Sequence, residues 1–293
     1  MTPFAFPHGF DSQAAIDAAY NPSLIVVDPV AERAHFEARS DEARRVLSCQ
    51  LNVPFGPTLD ETLDIFPAAQ PGAPVFVFIH GGYWRAGTAA DYSSVALGLQ
   101  PLGITTVVVN YALCPKVRLD EIVRQVRAAL AWVLRNIAAH GGDAARVAIG
   151  GHSAGGHLGA MALLTDWAGD YGLDADPFVG ALLVSGLYDL APLRYSYLQP
   201  MIQLDEALVR ELSPLHQVRP CATPVVLTWG KLEQDAFAHQ SQRFQAAWAQ
   251  AGNRAELVPQ ADANHFSAIH GFEQPGSPLA RAVQRLLGRA RPD

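Results

Sequence analysis

From about residue 70 the chain alternates short β-branched apolar runs with longer stretches of helical spacing, the pattern of parallel strands joined by crossover helices. The runs are Val75 to Ile79, Ile104 to Val109, Arg146 to Gly150, Ala181 to Ser185 and Pro224 to Trp229, with a shorter one from Ala255 to Pro259. Glycine, proline or aspartate brackets each of them, as turn chemistry requires. Between the second and third runs, Ile122, Val123, Val126, Leu130, Val133, Leu134 and Ile137 recur every three or four residues. That stripe predicts a helix over 119–139 packed on a sheet. Upstream, 28–48 reads as a helix with Asp28 and Pro29 near its start, and 50–66 as strand, Pro-Gly turn, strand. The expected fold class is α/β, a mostly parallel central sheet with helices on both faces. Residues 1–70 are expected to form an N-terminal extension and leading hairpin of a single domain spanning 1–293.

Composition narrows the function classes. The chain has 293 residues, 49% of them hydrophobic and 17% charged, enough apolar material for a large core. Its 21 basic and 28 acidic side chains leave a formal charge of -7, the wrong sign for counterion-release binding to nucleic acid. Cys49, Cys114 and Cys221 show neither metal-type nor redox-motif spacing, which fits a reducing compartment. No signal-peptide pattern and no apolar run of roughly 18 residues is present, so a cytoplasmic location without membrane association is expected. The expected partner is a small-molecule substrate. No cofactor and no metal is expected, and a homodimer is compatible with the sequence.

The chemistry is concentrated in a few strings. Gly151-His152-Ser153-Ala154-Gly155 is a G-x-S-x-G motif between an apolar run and a helical one, the setting in which a strained strand-to-helix turn presents a serine nucleophile. Ser153 at a helix start also leaves the Ala154 N–H free to face a developing oxyanion. His80-Gly81-Gly82-Tyr83-Trp84 follows the first central run, where an oxyanion loop belongs, and would supply Gly81 and Gly82 as further donors. His80 itself reads as a buried, hydrogen-bonded residue.

In this arrangement the acid and the base follow the nucleophile along the chain. Among the downstream histidines, His157 lies one helical turn past Ser153, while His216 and His239 fall in segments that suit solvent exposure. His265, in a polar loop after the last run, is the best base and His270 a distant second. Glu233, after the run ending at Trp229, leads the acids on position, with Asp235 as alternative and Asp189 third.

The strings HGGYW, GGHSAGGHL, SGLYDLAPL, GKLEQDAFAHQSQRF and ANHFS, with the earlier AAYNPS and TLDIFP, resemble the kynurenine formamidase (arylformamidase) branch of the α/β hydrolases, next to the hormone-sensitive-lipase-like esterases. Tyr83-Trp84 and the group Phe237, Gln240 and Ser241 point to the formamidase branch in particular. The resemblance implies nucleophile Ser153, acid Glu233 and base His265, with oxyanion donors from the glycine loop. It departs at the acid, often Asp in the family and Glu here, with Asp235 two residues on. It further implies hydrolysis of N-formyl-L-kynurenine, with a carboxylesterase acting on short esters as the alternative. Tyr83, Trp84 and Tyr188 would then flank an aryl ring.

Overall fold

The computed structural model describes residues 6–288. Eight strands form one sheet: β1 Gln50–Pro54, β2 Thr62–Phe66, β3 Ala73–Ile79, β4 Thr105–Val109, β5 Gly142–His152, β6 Gly180–Val184, β7 Val225–Thr228 and β8 Ala255–Leu257. Their spatial order is β1-β2-β4-β3-β5-β6-β7-β8. The β1–β2 and β2–β4 pairs are antiparallel, and β4, β3, β5, β6, β7 and β8 run parallel. The helices of eight residues or more are α1 Gln13–Tyr20, α2 Pro29–Val46, α3 Leu119–Asn136, α4 Ala154–Leu163, α5 Asp235–Gln250 and α6 Pro278–Leu287. This is the α/β-hydrolase architecture.

The period-2 direction of strand side chains divides the core in two. Val75, Val77 and Ile79 of β3 join Val107, Val109, Val147 and Ile149 on one face, under α3 and α4. Phe76 and Phe78 join Val108, Ala148 and Leu182 on the other, under α6. Strands buried on both faces must read as continuous apolar runs, which is how β3 to β7 appear in the sequence. The exposed edge strand β1 differs: it has a register shift between Gln50 and Val53, positive φ at Asn52 and a terminal proline, features that discourage further strand pairing. Asp28 caps α2 by accepting from the N–H groups of Val30 and Ala31.

Two boundaries differ from the sequence expectation. The helix expected over 119–139 ends at Asn136 and tightens into a 3-10 turn, Ile137–His140, closed by the left-handed Gly141. The run at Arg146 is the buried half of a strand that begins at Gly142, where partly exposed residues hide the pattern. Among the described residues, no helix is long and apolar enough to cross a membrane.

Parallel registry aligns the carboxyl ends of the central strands. Ile79 pairs with Gly151, His152 with Val184, and Val184 with Thr228. The loops after β3, β5, β6 and β7 therefore leave from one rim, the usual location of a ligand site in such sheets.

Candidate active site

Ser153 follows β5 directly and opens α4, with φ 55° and ψ −116°. A side chain held there costs about 1–3 kcal/mol of backbone strain and persists only where its surroundings fix it. Those surroundings include a hydrogen bond from Ser153 N–H to Val184 O at 2.8 Å and the glycines on either side. A Cβ on Gly155 would stand 1.9 Å from Ile79 O, and one on Gly151 would stand 2.2 Å from Gly155 O. Only glycine lets α4 start this close to β3.

The serine is joined to the end of the chain. Its Oγ lies 3.1 Å from His265 Nε2, and His265 Nδ1 lies 2.6 Å from Glu233 Oε2. With the carboxylate accepting from Nδ1–H, the Nε2 lone pair is left to receive the serine proton. The other Glu233 oxygen accepts from Ser185 Oγ and from Gly230 N–H, each at 2.6 Å. Three donors and near-complete burial thus fix the carboxylate. A buried Ser–His–carboxylate chain of this kind can turn a hydroxyl into a nucleophile.

The other candidates lie elsewhere. Asp235 is exposed at the start of α5. Asp189 is buried and lies 3.1 Å from Arg243 Nη1. His157 donates Nε2–H to Leu212 O at 2.7 Å, and burial lowers its pKa to about 4. His216 and His239 are exposed, and His270 lies beside Glu32.

The glycine loop packs against the nucleophile: a Cβ on Gly81 would lie 3.3 Å from that of Ser153. Gly82 has φ 103°, and Tyr83 and Trp84 also take positive φ, coiling the segment tightly. Among the described residues, the N–H groups of Gly81, Gly82 and Ala154 have no hydrogen-bond partner. His80 holds the loop from below: its Nδ1–H donates to Gly81 O at 2.8 Å while its ring stacks on Tyr111, centroids 4.1 Å apart. Tyr111 in turn donates to His80 O at 2.8 Å. Burial depresses the His80 pKa to about 4, so the ring is neutral at physiological pH.

A cleft of about 560 Å³ opens over Ser153 and His265, a volume suited to a small molecule. Tyr83 lines it, as do Tyr197, Phe266 and Arg85, together with Arg33, Phe36 and Glu37 of α2. Two aromatics expected at the ligand are placed elsewhere. Trp84 is fully buried with its ring edge-on to His157, centroids 5.0 Å apart, because the coiled loop turns the indole inward. Tyr188 is fully buried and stacked on Phe244 at 4.3 Å.

Several contributors went unread in the sequence. His152 donates Nε2–H to His265 O at 2.8 Å and so steadies the base; burial and the neighbouring His265 push its own pKa well below the usual histidine range. Asn264 Oδ1 accepts from the N–H groups of Phe266 and Ser267, each at 2.8 Å, shaping the turn that presents His265. Ser185 takes φ 50° at the end of β6, and the Ser-Gly turn signal there was its one visible trace. Gln240 explains two of the diagnostic strings together. Its Oε1 accepts from the N–H groups of Tyr188 and Asp189, each at 2.8 Å, and its amide donates to Tyr20 Oη at 3.1 Å. Tyr83 then donates to Tyr20 O.

Comparison with known proteins places the chain among hydrolases of this fold. The family described as BD-FAE matches residues 63–176. A kynurenine formamidase of Danio rerio is 30% identical, covering 95% of this chain and 98% of its own length. Esterase LipQ of Mycobacterium tuberculosis is also 30% identical, over 94% of this chain and 72% of that protein. The crystal structure of a Silicibacter sp. tm1040 protein described as a thioesterase superposes with a TM-score of 0.83 at 26% identity, covering 92% of this chain and 98% of that one.

Proposed function

The chain belongs to the kynurenine formamidase family of α/β hydrolases, and from that premise we propose that it hydrolyses N-formyl-L-kynurenine to L-kynurenine and formate through a formyl ester on Ser153. The observation that carries the chemistry is the unbroken chain from Ser153 Oγ through His265 to Glu233, at 3.1 and 2.6 Å. In the first step Ser153 Oγ bonds to the formyl carbon while His265 Nε2 takes its proton. The carbonyl oxygen becomes an oxyanion facing the N–H groups of Gly81, Gly82 and Ala154, and Glu233 stabilises the imidazolium. Collapse breaks the C–N bond as His265 returns the proton to the aniline nitrogen. Water then gives a proton to His265 and attacks the formyl ester, releasing formate and restoring Ser153.

The cleft supports the substrate class. Kynurenine carries an ammonium and a carboxylate beside its aryl ring, and Glu37, Arg33 and Arg85 line the same cleft as Tyr83 and Tyr197. A second reading, hydrolysis of short esters, is favoured by the esterase relative and uses the same groups. We place the reaction in the cytoplasm, a reading supported by the three free cysteines; burial raises the pKa of Cys114 and Cys221 to about 11. The test is turnover of N-formyl-L-kynurenine with formate and kynurenine released in equal amounts. Ser153→Ala should lower kcat by about 10⁴-fold or more. Absence of turnover by the wild type would remove the formamidase reading.

A further inference from the structure

One cluster of titratable side chains stands apart from the cleft. On α2, Glu32 and His35 are three positions apart, and on the 3-10 segment Ser267–Glu273 so are His270 and Glu273. The fold sets the two pairs face to face although His35 and Glu273 are 238 positions apart, so nothing in the sequence groups them. His35 Nε2 lies 2.8 Å from Glu273 Oε1, and His270 Nε2 lies 3.4 Å from Glu32 Oε2. The imidazole centroids are 4.1 Å apart. One donor atom from each of His35, His270 and Glu273 falls within 4.8 Å of the others. A surface hollow bordered by Val27, Glu32, His35 and His270 gives an ion a way in.

Part of the cluster is an ordinary polar network, and its form is informative. Arg39 Nε donates to Glu273 Oε2 at 2.8 Å, and Asn264 Nδ2 donates to Glu32 Oε1 at 2.7 Å. Each carboxylate therefore has one oxygen held by a fixed donor and the other turned toward an imidazole, the division of labour seen when outer-shell groups orient metal ligands. His270 Nε2 is buried without a hydrogen bond among the described residues. Neutral imidazole is the form that binds metals. Two imidazole nitrogens with two carboxylate oxygens suit Zn²⁺ and its borderline-soft neighbours better than Ca²⁺ or Mg²⁺, which prefer all-oxygen sets.

We propose that Glu32, His35, His270 and Glu273 form a Zn²⁺-class site that ties α2 to the segment following the base loop. On binding, neutral His35 carries its proton on Nδ1, so that Nε2 and Glu273 Oε1 both turn to the metal. Glu32 also holds Asn264, so the ion would brace the turn from which His265 projects.

Calorimetric titration of the full chain with Zn²⁺ alone at neutral pH tests the site, run beside His35→Gln, His270→Gln and the double variant, with thermal melting in parallel. The expected result is one ion per chain for wild type. Affinity should fall by about tenfold or more in each single variant and vanish in the double. Zn²⁺ should raise the Tm of wild type and leave that of the double variant unmoved. Should the double variant fail to fold, the single variants decide. Undiminished affinity in both, or wild-type binding no tighter than theirs, overturns the site and leaves an ion-pair network.

Discussion

Glu233 is the position where a single side chain has most to settle. Its two oxygens meet three donors, from His265, Ser185 and Gly230, and the residue is 9% exposed. Glu233→Gln keeps the shape but presents an amide N–H to at least one of those donors. It should therefore lower kcat by about 10³-fold or more, through loss of the correct histidine tautomer, with the melting profile close to wild type. Unchanged kcat would move the acid role to another carboxylate. Buried neutral histidines make a second prediction at this scale. His80 and His157 have pKa values depressed from 6.5 to about 4. The unfolded chain then binds more protons than the folded one between those limits. Their stabilisation is full above about pH 6.5 and falls by about 1.4 kcal/mol per pH unit for each histidine as the pH drops toward 4. Urea midpoints measured across that window should show the loss. His157→Gln, which can still donate to Leu212 O, should flatten the slope, and an unchanged slope would contradict the assignment.

The elements explain why the active serine could be found in the sequence and its supports could not. Glycines at fixed offsets around Ser153 and an apolar run on each side encode a strand-to-helix turn, because only glycine fits where α4 meets β3. Gly155→Ala would drive a methyl group into the Ile79 carbonyl and should cost about 3 kcal/mol. Gly159→Ala meets only the Leu183 Cδ2 atom, at 2.8 Å, and should cost about 1 kcal/mol or less. Denaturant midpoints of the pair compare the two, and equal costs would refute the close-packing account. The parallel strands and α3 were legible for a similar reason: burial on one or both sides imposes a periodicity. His152 and Ser185 each act through a single hydrogen bond to a residue distant in sequence, and Asn264 through a short local turn, none of which leaves a periodic trace. Trp84 and Tyr188 mislead in the opposite direction. Their neighbours in the chain reach the cleft or its supports, while their own rings serve the core.

At the scale of the molecule, the cleft joins segments far apart in the chain: α2 supplies Arg33, Phe36 and Glu37, and the loops at the strand ends supply Ser153 and His265. The N-terminal segment thus forms part of the cleft wall, and α1 reaches the glycine loop through Tyr20 and Tyr83. Recognition of charge at the mouth predicts that Arg85→Ala raises KM for N-formyl-L-kynurenine by about tenfold or more, with kcat little changed, because a charge-assisted hydrogen bond to the carboxylate is lost. Formanilide, which lacks the amino-acid group, should be hydrolysed equally by both proteins. A matching loss on formanilide would place Arg85 in the scaffold instead.

Both readings of the activity share Ser153, His265 and Glu233, so the substrate itself decides between them. The most direct measurement is kcat/KM of the wild type for N-formyl-L-kynurenine beside that for p-nitrophenyl acetate, with Ser153→Ala as the blank. A preference for the formamide of about tenfold or more, abolished for both substrates in the variant, is the predicted result. Preference for the ester, or formamide turnover that survives in Ser153→Ala, would contradict the account.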